Sequence, residues 1–465
     1  MRNIALVILT VYSFQVFSQK IRPEIKNLVE KIEKYNELQS KHVGIGGMTT
    51  VQYLNFEKLK TKATTEELLK LLNHKNSVVK GYTSWALVDN KYPKLSNILA
   101  EFLRTGETVT TQHGCIISTD ELASEFYHRV LYQHFENEIT EHDSLFFQSQ
   151  IKQLDSVILY SKNKTHLIYN ALENNNGDPK TYERIKELAF KDKNIDAIKA
   201  LAIYKREEDI NDLKNLGELS FFAIAEFPDL KFWDFLISYK SEFKSESYLL
   251  AVSAFKSEKS AAILTDILKT LNEESIPYLS EVITKNYCSH YQTLILSIWE
   301  KYKIIDIRAT NFLINHIPEK AAISFANTLL LNNDYRFLEF DNDYGQSELI
   351  LPLILDNIKK YQNDKILAIC KVNVNSTKFT ELAPFLTFIK DNKLNETNEA
   401  ILNRLQQKNI PFEIFHLTET ILSFENPNDI EKIVSILKAN QEDWDRGNWS
   451  EHFRILFKEY NIKFD

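Results

Sequence analysis

The sequence predicts an all-α protein built from stacked helical hairpins, with a small β-hairpin or extended insertion near residues 106–119. Apolar residues recur at intervals of three and four along most of the 465 residues, which is the spacing of one helical face. The segments are short and carry a single apolar stripe each, so each helix needs neighbours to bury it. The insertion departs from this period, because β-branched residues flank a QHG turn.

The chain opens with the pattern of a secretory leader, residues 1–18. Arg2 precedes an apolar run at 4–11, and Ser18 comes just before an expected cleavage site that leaves Gln19 first. A buried first helix or a membrane anchor is the alternative, but the run is shorter than the roughly 20 apolar residues of a membrane span. We therefore expect an exported protein, periplasmic or secreted, with no membrane span.

The stretch HVGIGGMTT, residues 42–50, holds three of the ten glycines. A phosphate-binding loop follows a strand, whereas residues 23–41 predict a helix, and the Gly-Lys-Ser/Thr ending is missing. We interpret the glycines as a reversal between two helices, with Thr49 or Thr50 capping the second.

Residues 64–103 give the clearest helical pattern. Thr65 is the expected cap of a first helix, and two further helices follow after short polar turns. The apolar stripes of these two helices are Val78, Tyr82, Trp85, Leu95, Ile98, Leu99 and Phe102.

The same plan of paired helices returns at 195–268 and at 428–440. The segment 64–103 resembles a HEAT repeat, most closely in VVKGYTSWALVD, and 195–268 is similar but weaker. The resemblance implies an irregular α-solenoid that binds a protein or peptide partner on one face, and it implies no catalytic residues.

The loop NNNGDPK, residues 174–180, is the best candidate for an internal boundary. It divides the chain after the leader into a HEAT-like region, 19–175, and an irregular helical-repeat region, 176–465.

The insertion at 106–119 is the first candidate contact surface, since insertions on one face of a solenoid often hold the partner. Thr110, Gln112 and His113 are its candidate contact residues. A local cover over exposed helix ends is the alternative. A second candidate surface is the aromatic pair Trp444 and Trp449, which could instead pack against the last helix.

Histidines and acids are densest at 113–144, where Glu121, Glu125 and His128 share one face of a predicted helix. A helical di-iron site needs a second Glu-x-x-His from another helix, and the sequence has no second copy. We predict a solvated helical face, with no metal and no cofactor.

Two acidic loops, 341–348 and 443–448, have alternating aspartates. A calcium loop of the EF-hand type has glycine at its sixth position, whereas Gly345 and Gly447 come at the fifth. We interpret both segments as ordinary loops.

Composition limits the remaining function classes. The net charge of −8 argues against nucleic acid as the main partner. The three cysteines are too few and too far apart for a disulfide framework. Nucleophile-elbow, zinc-helix and Cys-x-x-Cys motifs are missing, and ten glycines leave few tight turns for active-site loops.

The sequence therefore favours an exported, non-enzymatic scaffold for a protein or peptide. The alternative is an exported α/α-toroid enzyme acting on polysaccharide, against which stands the lack of a compact His/Tyr/Arg cluster in the sequence. A weaker third possibility is carbohydrate binding through Trp444 and Trp449.

Overall fold

The computed structural model describes residues 20–44, 46–135, 139–239, 245–331, 335–338, 346–407 and 410–463. The predicted leader and the first part of the acidic loop 341–348 lie outside these ranges. The described chain is helical with two small sheets, which confirms the all-α prediction.

The chain forms two compact units, Met1–Leu219 and Ser220–Asp465. The division predicted between 175 and 176 falls inside the first unit, in a loop between two helices. None of the described helices is both long and apolar enough to cross a membrane.

The first unit contains eleven described α-helices and three strands. Its helices are α1 Pro23–Tyr35, α2 Val51–Lys62, α3 Thr65–Leu71, α4 Ser77–Asp89, α5 Leu95–Thr105, α6 Leu122–His134, α7 Glu141–Leu159, α8 Ile168–Glu173, α9 Tyr182–Phe190, α10 Ile195–Ile203 and α11 Ile210–Lys214. Its strands are β1 Leu38–Val43, β2 Thr108–Gly114 and β3 Ile116–Glu121.

The second unit continues the helical plan through sixteen described α-helices. They are α12 Ser220–Glu226, α13 Trp233–Ser238, α14 Glu246–Ala254, α15 Glu258–Leu268, α16 Ile276–Lys285, α17 Gln292–Tyr302, α18 Ile307–His316, α19 Pro318–Leu331, α20 Gln346–Tyr361, α21 Asn363–Ser376, α22 Phe379–Asp391, α23 Asn398–Leu405, α24 Pro411–Leu422, α25 Pro427–Ala439, α26 Gln441–Trp444 and α27 Trp449–Glu459. Two short strands, β4 Ile304–Ile305 and β5 Arg336–Phe337, pair in parallel.

Side-chain caps set where several helices begin. Thr50 caps α2, as predicted, by accepting a hydrogen bond from the Tyr53 N–H. The cap of α3 is Thr64 rather than the predicted Thr65, because Thr64 and Glu67 form a reciprocal capping box.

The predicted apolar stripes of α4 and α5 form the core of the first unit, since all seven of their residues are buried.

Helices contact both the next helix in sequence and the next but one. In the first unit α2 contacts α4, and α4 contacts α6. In the second unit α18, α20, α22 and α24 form one row, and α15, α17, α19, α21 and α23 form another. Each short helix thus buries its stripe against neighbours in its own row and in the opposite row.

The insertion is a β-hairpin, as expected: β2 and β3 pair antiparallel from Thr108–Glu121 to His113–Ile116. The prediction of a helix over 23–41 is wrong beyond Tyr35. Asn36 adopts a left-handed conformation (φ 55°), which ends α1, and β1 then pairs in parallel with β2.

Tyr82 of α4 anchors the strand that the sequence did not predict. Its hydroxyl accepts a hydrogen bond from the Gln39 N–H at 2.8 Å and donates one to the Gln39 carbonyl at 3.0 Å. The glycine stretch therefore follows a strand, so one of the two arguments against a phosphate loop does not hold. The missing Gly-Lys-Ser/Thr ending still separates it from that motif.

Several helices end in an unusual residue. Among the residues that the structure describes, six lysines have positive φ angles, including Lys256 after α14 (φ 49°) and Lys303 after α17 (φ 59°). Glycine normally occupies this left-handed position, because it has no Cβ to clash with the backbone. The sequence has only ten glycines, and lysine occupies the left-handed position at these helix ends although its Cβ makes this backbone conformation less favourable.

Candidate functional site

A cleft of about 580 Å³ opens in the first unit, between the sheet and helix α6. Strands β1, β2 and β3 supply one wall, α6 supplies the other, and α2 and α4 contribute aromatic rings. The cleft is lined by Ser40, Lys41, His42, Tyr53, Trp85, His113, Asp120, Glu125, His128, Arg129 and Tyr132.

Trp85 is shared between the cleft and the core. Its side chain is 3% exposed and meets the rings of Phe56 and Tyr82 edge to face, at centroid distances of 5.8 and 5.5 Å. Its indole N–H donates to the backbone carbonyl of Glu125 at 3.2 Å. The ring is thus held by both packing and a hydrogen bond, and it cannot reorient without disturbing α6.

Arg129 is held between an acid and three aromatic rings. Its Nε and Nη2 atoms donate to the two carboxylate oxygens of Asp89 at 2.8 and 2.5 Å. The guanidinium also lies 5.3 Å from the ring centres of Trp85 and Tyr132, and 5.7 Å from that of Phe56. Burial opposes its charge, but the bond to Asp89 prevails and raises the pKa of Arg129 above its ordinary value.

His113 links the hairpin to α6. Its Nε2 atom lies 3.1 and 3.2 Å from the two carboxylate oxygens of Glu125, a buried residue. The hydrogen bond to Glu125 raises the pKa of His113 above 6.5, against the opposing effect of burial. The interaction thus favours the imidazolium form of His113 relative to a free histidine, and it joins β2 to α6 within the lining of the cleft.

Two further lining residues have fixed protonation states near neutral pH. Burial raises the pKa of Tyr53 to about 12, so its phenol stays neutral. Hydrogen bonds from the Ser118 and Thr111 hydroxyls, both at 2.6 Å, lower the pKa of Asp120, so its carboxylate stays charged.

A second cleft of about 640 Å³ adjoins the first and shares Lys41, Tyr53, Arg129 and Tyr132 with it. Leu54 and Tyr132 line it and are 46% and 55% exposed. Together the two clefts make one surface, which we call the N-terminal cleft surface and which combines exposed apolar groups with fixed charges.

The predicted contact residues of the hairpin divide between its two faces. Side chains alternate along a strand, so His113 points into the cleft while Thr110 and Gln112 lie on the opposite, outer face. Gln112 accepts a hydrogen bond there from the side-chain amide of Gln39 at 2.8 Å. Only His113 of the three belongs to the cleft surface.

The predicted tryptophan pair lies in the second unit and does not form an exposed surface. Trp444 is 4% exposed, and its indole N–H donates to the Leu437 carbonyl at 2.9 Å. Trp449 is half-buried, with its ring against Phe412 and Phe415. The packing alternative for this pair is the one that the structure supports.

The acids and histidine considered as a metal set separate in space. Glu125 and His128 line the cleft, but Glu121 accepts a hydrogen bond from Thr165 at 2.9 Å, away from the lining residues. In the ranges that the structure describes, no three His, Cys, Asp or Glu side chains are grouped closely enough to hold a metal ion.

Three elements, α2, β2 and α6, bring Tyr53, His113, His128 and Arg129 to one cleft. The sequence shows no compact His/Tyr/Arg cluster, because these residue types come together only in the folded chain. These residues are up to 76 positions apart, and the local signal that could have found part of the set is the histidine-rich segment at 113–144.

Comparison of the sequence with models of known protein families gives no match, and comparison with curated proteins gives none either. The functional argument therefore depends on the geometry of the site alone.

Proposed function

We propose that this protein is an exported, non-enzymatic scaffold of HEAT-like helical hairpins that binds a protein or peptide partner. The N-terminal cleft surface is its contact site. The observation that carries the proposal is a pre-formed cleft in which aromatic rings and an arginine lie beside exposed apolar residues.

The size and lining of the cleft support this proposal. Pockets of about 300–1,000 Å³ take small molecules or side chains, and the cleft measures about 580 Å³. Trp, Tyr and Arg are the residue types that carry most of the energy in protein interfaces, and Trp85, Tyr53, Tyr132 and Arg129 all line this cleft. The exposed rim of Leu54 and Tyr132 would be covered by a bound partner.

The test is a selection of random dodecapeptides, displayed on phage, against the chain expressed from Gln19. We expect enriched peptides that bind the wild-type chain and lose binding to the double variant Leu54→Asp/Tyr132→Asp. Ile455→Asp, an equally exposed apolar position in α27 of the second unit, is the matched control. Failure to enrich any peptide, or full binding by the double variant, would refute the proposal.

The cluster of Tyr53, His113, His128 and Arg129 favours one second candidate, an exported enzyme acting on polysaccharide. Two observations weaken it. Tyr53 has a pKa of about 12, too high for a base at neutral pH, and Arg129 is already paired with Asp89. Incubation of the purified chain with a panel of polysaccharides distinguishes the two: depolymerisation that His113→Ala abolishes would establish the enzyme and exclude the scaffold.

A further inference from the structure

We propose that the cleft recognises an acidic side chain, Asp or Glu, on a segment of the partner, through the ammonium group of Lys41. This inference rests on the proposed function and names the chemistry of the partner. It follows from which polar groups of the cleft are already paired and which are not.

The acids around the cleft have their hydrogen-bonding capacity engaged within the protein. Glu125 faces His113 through both carboxylate oxygens, at 3.1 and 3.2 Å. Asp89 is held by Arg129 through two bonds. Asp120 accepts from two hydroxyls at 2.6 Å. A basic partner would have to compete with each of these internal partners.

The charged group of the cleft that is still able to bind a partner is a hydrogen-bond donor, Lys41. Lys41 is exposed and lines both clefts, and across the described residues no acidic group forms an ion pair with it. His128 is also exposed on the cleft wall, but it already has an acidic neighbour, because it lies close enough to Asp120 to help lower the pKa of that carboxyl group. An ammonium group with three free N–H donors is complemented by an acceptor, and a carboxylate is the acceptor that peptides supply.

The remaining lining residues define what accompanies the carboxylate. Tyr132, which is 55% exposed, offers its ring to an apolar neighbour, while the buried rings of Trp85 and Tyr53 form the floor beside it. Asp120 keeps its negative charge on the same cleft, so acidic groups of the partner are repelled from that part of the lining. The complementary segment is therefore one acid next to an aliphatic or aromatic residue.

The test uses a peptide from the selection described above, synthesised in two forms that differ only by Asp→Asn or Glu→Gln. Fluorescence anisotropy gives the Kd of both forms for the wild-type chain, for Lys41→Met and for Lys58→Met. Lys58 is an exposed lysine of α2 that does not line either cleft, which makes it the matched control.

We expect the amide form to bind the wild-type chain about fivefold more weakly, the size of a partly exposed ion pair. The Lys41→Met variant should bind both forms equally, while Lys58→Met keeps the difference. The preference for the acid should also decrease as sodium chloride is raised from 50 to 500 mM.

Other results overturn the inference in distinguishable ways. Cleft-dependent peptides without an acid, or an acid preference that persists in Lys41→Met, would overturn it and leave the proposed function intact. Stronger displacement by inorganic phosphate than by acetate, with tighter binding of a phosphoserine form, would assign the site to phosphate instead. Absence of any cleft-dependent peptide would refute both proposals.

Discussion

Substitution of Trp85 by alanine tests the packing on which the first unit depends. Burying a tryptophan side chain removes roughly 200 Å² from water, worth about 5 kcal/mol at ~25 cal/mol per Å². The substitution also leaves the Glu125 carbonyl without its indole donor, a further cost of about 1 kcal/mol. Partial collapse of the cavity and residual burial in the unfolded chain reduce the sum, so we expect a loss of about 3–5 kcal/mol.

Urea unfolding followed by far-UV circular dichroism measures this loss. Two compact units need not unfold together, so the Trp85→Ala effect is sought in one transition. Trp299→Ala, a fully buried tryptophan of the second unit, should destabilise the other transition. Tyr132→Ala, half-exposed on the rim of the cleft, should change stability by no more than about 0.5 kcal/mol.

A loss below about 1 kcal/mol in Trp85→Ala would refute the reasoning, because such a value is typical of a surface substitution. It would mean that the rings of Phe56 and Tyr82 do not enclose Trp85 in solution. The assignment of α2, α4 and α6 to one packed row would then also be wrong.

Three further predictions concern charge and backbone. Asp89→Asn should destabilise the first unit by about 3 kcal/mol in urea unfolding, because Arg129 is left buried without its carboxylate; a change under 1 kcal/mol would show that water replaces the pair. NMR titration should give His113 a pKa above 6.5 in the wild-type chain and a lower pKa in Glu125→Gln. Because the folded pKa is raised, the His113–Glu125 pair stabilises the fold below pH 6.5, and this stabilisation is lost as the pH rises through the folded pKa. A pKa of His113 that the substitution leaves unchanged would contradict this assignment. Lys256→Gly should raise stability by about 0.5–1 kcal/mol by relieving the left-handed conformation after α14, whereas any loss of stability would argue against strain there.

The fold class followed from the sequence because helical periodicity is a local signal. The apolar residues of the α4 and α5 stripes lie within 25 consecutive positions, and each of them is buried, as predicted. Strand β1 was missed since LQSKHV has no strict alternation of apolar and polar residues. The residues of β2 that pair with it lie 71–73 positions further along the chain, so its strand conformation depends on pairing that no local window contains.

The candidate site was harder to predict from the sequence, because its residues also come together only through long-range contacts. His113 was found because it lies in a visible insertion, whereas Tyr53 and Arg129 look like ordinary residues of amphipathic helices. Trp444 illustrates the opposite error: a tryptophan between aspartates suggests exposure, yet its N–H reaches a helix carbonyl and its ring is buried. Such positions are decided by tertiary contacts that spacing does not encode.

The sharing of Trp85 and Arg129 between cleft and core has a consequence for recognition. A binding site whose walls also belong to the hydrophobic core is pre-organised, and it loses little conformational entropy when a ligand binds. For the partner that we propose, the ordering cost of association then falls on the partner segment, which has to adopt the shape of the cleft. Selection for tighter binding would consequently act on the rigidity of the partner segment, because the floor of the cleft cannot change without a loss of folding stability.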